Sequence, residues 1–228
     1  DLDSAALADA DVIVLCNVAA LTPSAWGKIR QLVSSGRGLI VFAGDNVTPA
    51  AYAPLAAGPT ALLPCSIESP VSPSPNTHLE PGRLQHPILR IFQGGRNGDL
   101  ASARFTKYLK LKTAENTTSE VVLRFKTGDP ALVAGRYGTG TVLVFASTCD
   151  ADWNTLPIPP DDIPYAVLLH ESLKFLTAPR EQKRDVLVGL APALTISAPA
   201  AVRSVTLARL PDGAPEDVTA RFDPRSGQ

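Results

Sequence analysis

Three aspartates and a tryptophan are the residues with the clearest potential for chemistry in this chain. Asp45 follows the second apolar run, and Asp150, Asp152 and Trp153 follow a later run at residues 141–146. Both runs are predicted to be buried strands, and α/β proteins bind ligands beyond the carboxyl ends of parallel strands. Carboxylates gathered there could bind a divalent cation or a polar group of a partner. Short carboxylates also cap helices and shape turns, so each aspartate has a purely structural interpretation as well.

Trp153 also has two interpretations. An exposed aromatic side chain at the rim of a sheet, with Tyr165 a short distance beyond it, would anchor a partner. A tryptophan is more often largely buried, where it covers the edge of the core. The sequence leaves both roles open.

The histidines do not indicate a catalytic site. His170 and Glu171 are adjacent on a predicted helix, where neighbouring side chains point about 100° apart and do not serve one site. His78 and His86 lie in a proline-rich segment without the four-ligand pattern that a zinc site needs. We therefore predict no catalytic residue and no metal ligand among them.

The three cysteines are widely spaced, which indicates neither a disulfide framework nor a zinc site. Cys16 and Cys149 end predicted strands and are expected to be small buried apolar residues. Asp150 beside Cys149 disfavours a reactive thiolate, which requires a positive environment. The sequence Gly-Thr-Gly at residues 138–140 precedes a strand, so it predicts a hairpin turn and no phosphate cradle. No cofactor is expected.

Composition restricts the class of protein. The chain has 228 residues, 45% of them hydrophobic, which is ample for a packed core. A net charge of −1 gives no positive electrostatic field that would attract nucleic acid. No apolar run approaches the roughly 20 residues needed to span a bilayer. There is no methionine, not even at position 1, from which we expect a piece of a longer protein.

Hydrophobic patterning predicts the elements that position these residues. The run 11–18 and the run 38–43 read as buried strands, and the helix between them begins at Thr22-Pro23 and ends before Gly36. Residues 46–87 are rich in proline and predict an irregular insertion. Beyond them, the sequence indicates three short antiparallel strands, a further fully buried strand and a helix, at 104–111, 121–126, 131–137, 141–146 and 163–176.

The predicted architecture has two parts. Residues 1–179 form an α/β domain, with a mainly parallel sheet, helices on both faces and an antiparallel edge. Residues 180–228 contain four further apolar segments and are predicted to be part of a truncated β-sandwich.

Several of these segments, taken together, resemble the class I glutamine amidotransferase-like domains of bacterial membrane-anchored proteins related to the aerotolerance regulator family. The resemblance covers roughly residues 5–178. It is carried by residues 11–18, 36–45, 98–100, 128–133, 138–140, 152–153 and 168–171. It implies a flavodoxin-like fold.

The resemblance also implies a site and a location. Family enzymes carry a nucleophilic cysteine on the turn after a strand, paired with a histidine. Ala43 and Gly44 occupy the matching turn here, so no residue of the triad transfers to this chain and a pseudoenzyme is implied. The relatives place such domains outside the cytoplasm. We therefore expect a periplasmic domain with a protein partner in the cell envelope, attached to the membrane only through segments outside this chain.

Two functional hypotheses follow. The first is a non-catalytic binding or scaffolding domain of a bacterial cell-envelope protein, whose exposed patch contains Asp45, Asp150, Asp152 and Trp153. The alternative is a small-ligand or cation-dependent enzyme or receptor that uses the same strand-end carboxylates.

Overall fold

The structure is a computed structural model of the chain. It describes residues 10–58, 60–82, 84–95, 97–113, 119–158, 164–178, 205–207 and 216–218. The chain divides into two compact units, Asp1–Arg180 and Glu181–Gln228. Each unit is described by itself.

The first unit contains eight strands and three helices within its described residues. The strands are β1 (Val12–Cys16), β2 (Gly38–Phe42), β3 (Ser66–Val71), β4 (Leu79–Glu80), β5 (Tyr108–Lys112), β6 (Glu120–Phe125), β7 (Pro130–Tyr137) and β8 (Gly140–Phe145). The helices are α1 (Pro23–Ser34), α2 (Pro49–Ala56) and α3 (Pro164–Thr177), with short 3-10 turns at Arg90–Phe92 and Leu100–Ser102.

Six strands form one mixed sheet in the order β1-β2-β8-β7-β6-β4. The β1–β2 and β2–β8 pairs are parallel, whereas β8–β7, β7–β6 and β6–β4 are antiparallel. The prediction of a mainly parallel, flavodoxin-like sheet is therefore wrong. Its error has a physical cause, because an apolar run reports burial on both faces and says nothing about strand direction. The central residues 131–135 of the long strand β7 are buried like those of β2, yet a tight turn through Gly138 (φ 58°) makes β7 antiparallel to β8.

Helices α1 and α3 pack on opposite faces of the sheet. A Cβ atom added to Gly38 would lie 2.8 Å from Leu176 Cβ of α3. Gly38 pairs with Thr141, so the adjacent residue Gly140 points to the opposite face of the sheet. On that face, a Cβ atom added to Gly140 would lie 2.1 Å from the Val33 carbonyl oxygen of α1. Helix α1 starts as predicted at Thr22, whose hydroxyl accepts a hydrogen bond from the Ala25 N–H at 3.3 Å.

The proline-rich segment 46–87 is more regular than predicted. Thr48 caps α2 and Pro49 occupies its first turn, a combination that proline favours at a helix start. Strand β3 pairs with β5 in a separate two-stranded sheet, with an irregular register between Ile67 and Pro70. Strand β5, predicted to lie in the antiparallel edge of the main sheet, therefore belongs to this smaller sheet.

The core beneath the strand ends is aromatic. Phe105 is fully buried, and its ring makes edge contacts with Phe125 at 5.1 Å and with Phe145 at 6.5 Å between centroids. The Tyr108 ring stacks on Phe125 at 4.2 Å. None of the helices in the described ranges combines the length and the apolar character that crossing a bilayer requires.

In the second unit the described residues form β9 (Val205–Leu207) and β10 (Glu216–Val218), which pair antiparallel. The predicted strands at 186–190 and 193–196 lie outside the described residues. The truncated β-sandwich and the boundary at residue 179 remain predictions.

Candidate functional site

Asp45, Lys107 and Trp153 form a polar cluster at the edge where β2 and β8 end. Lys107 Nζ donates a hydrogen bond to Asp45 Oδ1 at 2.5 Å, and Trp153 Nε1 donates to Asp45 Oδ2 at 3.3 Å. The Lys107 ammonium also lies 4.5 Å from the Trp153 ring centroid, within cation–π distance. We call these three residues the strand-end cluster. Each member contacts the other two, although they are up to 108 positions apart in the chain.

The strand-end cluster is exposed to solvent at Lys107 and Asp45 and buried at Trp153. The side chains of Lys107 and Asp45 are 32% and 64% exposed, while Trp153 is 4% exposed. The Lys107 hydrogen bond, assisted by that of Trp153, lowers the pKa of Asp45 despite some desolvation. A carboxyl with a lowered folded-state pKa loses its stabilising charge only as the pH falls through that pKa, so the ion pair is present throughout the neutral range.

Asn17 and Gly44 set the position of Asp45. Asn17, which follows β1, has a φ of 51°, a backbone conformation that asparagine tolerates better than most residues. Its side-chain Oδ1 accepts a hydrogen bond from the Asn46 N–H at 2.8 Å, and its own N–H donates to the Phe42 carbonyl at 3.2 Å. Gly44 lies against this side chain so closely that an added Cβ would be 2.2 Å from Asn17 Cγ. The turn after β2 therefore requires a residue without a side chain at position 44. Close packing against Asn17 is the physical reason why glycine occupies this position.

The buried side chain of Asn154 holds the loop that carries Trp153. Its amide nitrogen is within hydrogen-bond distance of Ser147 Oγ and the Thr148 carbonyl at 3.1 Å, and of the Asp150 carbonyl at 3.3 Å. Its Oδ1 accepts from the Leu156 N–H at 2.9 Å. One side chain thus organises the whole connection that follows β8.

Lys107 is positioned by the extended segment before β5. The Trp153 carbonyl accepts from both the backbone N–H and the hydroxyl of Thr106, at 2.8 and 2.9 Å. Arg104 and Thr155 exchange two further bonds of 2.9 Å each. Because these bonds tie the segment to the loop after β8, Lys107 and Trp153 are held as one piece.

The other two predicted site residues have a different role. Asp150 Oδ1 accepts a hydrogen bond from the Asp152 N–H at 3.1 Å, the geometry of an aspartate that shapes its own turn. Within the described ranges, no three His, Cys, Asp or Glu side chains are grouped closely enough to hold a metal ion. The structure therefore brings Asp45 and Trp153 together and leaves Asp150 and Asp152 as residues of the neighbouring turn.

The histidine and glutamate candidates lie in unrelated environments. Glu171 accepts hydrogen bonds from Lys174 Nζ at 2.9 and 3.1 Å on the same helix. His86 is buried against the Phe175 ring, and desolvation lowers its pKa although Glu120 opposes this effect from 3.7 Å. The imidazole is thus kept neutral in the core.

Two of the three cysteines differ from expectation. All three are free thiols, but only Cys65 is buried, while Cys16 is exposed and Cys149 is half-buried. The alternation of β1 explains Cys16, because Val14 and Cys16 point to the part of the face that α3 leaves uncovered. Tyr165 Oη donates a hydrogen bond to the Cys149 carbonyl at 2.8 Å, and burial raises the pKa of the Cys149 thiol to about 12.

Sequence reasoning missed Lys107, Asn17 and Asn154. Asn17 carries a signal, because an asparagine directly after an apolar run commonly marks the chain reversal at a strand end. Lys107 and Asn154 have no local signal, since their partners come from distant segments.

A small apolar crevice beneath α3 is a further concave feature of the described residues. It lies between the helix and the sheet, with Ile40, Phe42 and Leu168 in its walls, and its cavity volume is only about 20 Å³. Its one hydroxyl from serine, Ser172 Oγ, donates to the Leu168 carbonyl at 2.7 Å. The other hydroxyl of the crevice, Tyr165 Oη, donates to the Cys149 carbonyl at 2.8 Å. Both hydroxyls are thus engaged within the protein, and the strand-end cluster is the stronger candidate site.

The fold and the cluster together define a protein with a mixed, mostly antiparallel sheet, helices on its faces and a polar strand-end edge. No family model matches the chain, and no curated protein matches it. Among solved structures it is similar to the cytoplasmic protein STM1381 from Salmonella typhimurium LT2, with 24% identity, coverage of 75% of this chain and 74% of that one, and a TM-score of 0.57. The cytoplasmic protein STM3548 from Salmonella typhimurium gives 23% identity, coverage of 73% and 71%, and a TM-score of 0.55. A β-galactosidase from Bacillus circulans matches over 72% of this chain but 22% of its own length, at 15% identity and a TM-score of 0.48.

These neighbours overturn two expectations. The resemblance to glutamine amidotransferase-like domains of the aerotolerance regulator family is contradicted, because the two Salmonella neighbours are described otherwise and the sheet is not mainly parallel. The expectation of a periplasmic, membrane-anchored pseudoenzyme is contradicted as well, because both are described as cytoplasmic proteins. The mistaken resemblance came from short apolar strands and glycine turns, which are shared by many α/β proteins.

Proposed function

We propose that this chain is a non-catalytic binding domain that recognises a polar protein surface through the strand-end cluster. The observation that carries the proposal is the half-exposed Lys107–Asp45 ion pair, fixed on the buried ring of Trp153. A preorganised pair loses little side-chain entropy on binding, so it suits recognition. It offers an acceptor and a donor side by side, which fits a partner that presents a donor to Asp45 and an acceptor to Lys107.

Two features favour binding over catalysis. The lowered pKa of Asp45 makes it a weak base, whereas a general base works best with a pKa near the operating pH. Lys107 Nζ is engaged by the Asp45 carboxylate and lies against the face of the Trp153 ring, so its position is that of a fixed hydrogen-bond donor in an ion pair.

The proposal predicts that the double variant Asp45→Asn/Lys107→Gln loses its partner. The substitutions leave the net charge unchanged and remove only the pair. The measurement is the amount of partner protein that each chain captures from a lysate of the source organism, quantified by mass spectrometry. We expect this amount to fall at least about tenfold relative to wild type, because charged anchors at the centre of an interface contribute about 1.4 kcal/mol or more.

A matched control exists in the same sheet. Arg37 Nη1 lies 2.8 Å from Asp11 Oδ1, with side-chain exposures of 33% and 77%, close to those of the cluster. This pair precedes β1 and β2 and so lies at the opposite edge. The double variant Asp11→Asn/Arg37→Gln should capture the same proteins as wild type; equal capture by all three chains would refute the proposal.

The alternative is a cation-dependent enzyme or receptor that uses Asp45, Asp150 and Asp152. It predicts that Ca²⁺, Mg²⁺ or Zn²⁺ raises the melting temperature in a saturable way, and that Asp150→Ala abolishes the effect. Our proposal expects a change within the error of the measurement at millimolar cation, because Asp45 is neutralised by Lys107 and Asp150 shapes its own turn. A saturable shift that requires Asp150 would replace the binding proposal with the alternative.

A further inference from the structure

Strand β1 is an open edge of the six-stranded sheet. It pairs with β2 on one side, and within the described residues no strand pairs with it on the other. The Asp11 carbonyl and the Asn17 N–H both bond to β2, at 2.9 and 3.2 Å. Because backbone directions alternate along a strand, the N–H and C=O groups of Val12, Val14 and Cys16 point away from β2. These groups can therefore pair with a further strand.

The side chains of the same three residues lie on the face of the sheet that α3 covers in part. A Cβ atom added to Gly38, the register partner of Val12, would lie 3.2 Å from Val12 Cγ2 and 2.8 Å from Leu176 Cβ of α3. Alternate residues of a strand share a face, so Val14 and Cys16 point to this face as well. Val14 is 43% exposed, and Cys16 is also exposed. Strand β1 thus presents unpaired backbone groups and an exposed apolar row at the same positions.

Two other edge strands of the first unit carry features that prevent strand addition. Strand β4, at the far end of the main sheet, has two residues, one of which is Glu80. Strand β3 contains Glu68 and Pro70, and its register with β5 is irregular. Short length, charge, proline and bulges all protect a sheet edge from pairing with another chain. Strand β1 has none of them, because its five residues are apolar and its register with β2 is continuous.

We propose that β1 is the contact strand of a homodimer, in which the β1 strands of two copies pair antiparallel and join two six-stranded sheets into one. A strand added here must be apolar on both faces, because Ile13 and Leu15 are buried on one face and the exposed apolar row lies on the other. Strand β1 itself meets this requirement. The antiparallel register that overlaps all five residues places Val14 opposite Val14 of the second copy and Val12 opposite Cys16, so each exposed row covers the other. The proposal is independent of the binding function proposed above.

The charges at the ends of β1 favour the antiparallel direction. Asp11 precedes the strand, where its carboxylate lies 2.8 Å from Arg37 Nη1, and the uncharged Asn17 follows the strand. In the antiparallel register Asp11 faces Asn17 of the second copy, so no like charges oppose each other. A parallel pair would place the two Asp11 carboxylates side by side, which is destabilising. The antiparallel symmetry also places the two strand-end clusters at opposite edges of the joined sheet.

The test is sedimentation velocity of the 228-residue chain at about 1–200 µM, a range that covers the dissociation constants of weak dimers. Dithiothreitol is present, so that disulfide-linked dimers do not form. We expect the wild type to change from monomer to dimer as the concentration rises. Val14→Lys places two ammonium groups opposite each other and should raise the dissociation constant at least about tenfold.

Ile91→Lys is the matched control for Val14→Lys. Ile91 is an apolar residue of similar exposure, 40%, and lies in the 3-10 turn Arg90–Phe92, outside β1. The same charge is therefore added to an exposed apolar position that the proposed dimer does not use. This chain should dimerise like the wild type, whereas an equal loss in both variants would show that the added charge acts without regard to β1.

Mixtures of variants test the register and the direction. Val14→Glu alone should be as monomeric as Val14→Lys, whereas an equimolar mixture of the two chains should dimerise, since position 14 of one copy faces position 14 of the other. In the antiparallel direction position 12 faces position 16. A mixture of the Val12→Lys chain with the Cys16→Glu chain should therefore dimerise more tightly than either chain alone.

A wild type that remains monomeric at about 200 µM would overturn the proposal, as would a Val14→Lys chain that dimerises like the wild type. Failure of the Val14→Lys and Val14→Glu chains to recover dimerisation on mixing would also overturn it, and no gain in the second mixture would contradict the antiparallel direction. Circular dichroism of the dilute chains shows that each variant is folded, which is expected because Val14 is exposed.

Discussion

Replacing Asn154 with leucine is expected to lower the free energy of unfolding by about 3 kcal/mol and to displace the loop that carries Trp153. Asn154 is 3% exposed, so the substitution removes the partners of groups that are themselves shielded from water. The Leu156 N–H loses its acceptor, while Ser147 and the carbonyls of Thr148 and Asp150 lose a shared donor. Leucine has a similar volume, so the loss reports the hydrogen bonds more than a cavity.

Urea denaturation measures the stability change, and tryptophan fluorescence measures the loop. The chain has two tryptophans, so the emission of Trp153 is followed in a Trp26→Phe background. We expect Asn154→Leu to shift this emission to longer wavelength, because Trp153 loses its burial. Thr155→Val is the control, since its hydroxyl accepts from the Arg104 N–H at an exposed site and its loss should cost about 1 kcal/mol or less. A change below 1 kcal/mol for Asn154→Leu, with unchanged emission, would contradict the role given to this side chain.

Replacing Gly44 with alanine is expected to destabilise the protein by about 3 kcal/mol, at the upper end of what overpacking costs. The new Cβ would lie 2.2 Å from Asn17 Cγ and Oδ1 and 2.6 Å from Asn17 Cβ. Asn17 cannot simply rotate away, because its Cβ is also too close and its Oδ1 holds the Asn46 N–H. The turn must therefore shift, and Asp45 shifts with it.

The cause can be isolated with a double-mutant cycle. Asn17→Gly removes the clashing side chain and suits the φ of 51°, so it should recover 1–2 kcal/mol of the Gly44→Ala loss. Gly27→Ala is the matched control, since an added Cβ on Gly27 has no neighbour within 4 Å and lies in α1. It should stabilise the protein by about 0.5–1 kcal/mol. Additive losses for the first pair would show that the close approach of Gly44 to Asn17 is not the reason for glycine.

Both substitutions also bear on the binding proposal. Asn154 fixes Trp153, and Gly44 fixes Asp45, so each variant separates members of the strand-end cluster without removing any of them. Capture of the partner should therefore fall in both, and Asn17→Gly should restore part of it in the Gly44→Ala chain. Such a result would distinguish a preassembled cluster from three independently acting side chains.

The sequence by itself determined the local elements of this protein. Continuous apolar runs identified β2 and β8, Thr22 with Pro23 identified the start of α1, and the glycine turn at 138–140 identified the β7–β8 hairpin. It also placed Asp45 and Trp153 at strand ends. These features depend on periodicity, capping and turn chemistry, which act over a few residues and can therefore be recognised in a short stretch of sequence.

Only the tertiary structure decided strand direction, the helix and strands hidden in segment 46–87, and the composition of the site. The same apolar run suits a parallel or an antiparallel neighbour, because burial on both faces is common to both. Lys107 meets Asp45 across 62 positions, and Trp153 meets Asp45 across 108, through packing that no local pattern encodes. Contacts between distant segments are fixed by the packing of the whole core, and for that reason Lys107, one of the three members of the strand-end cluster, could not be identified until the fold was known.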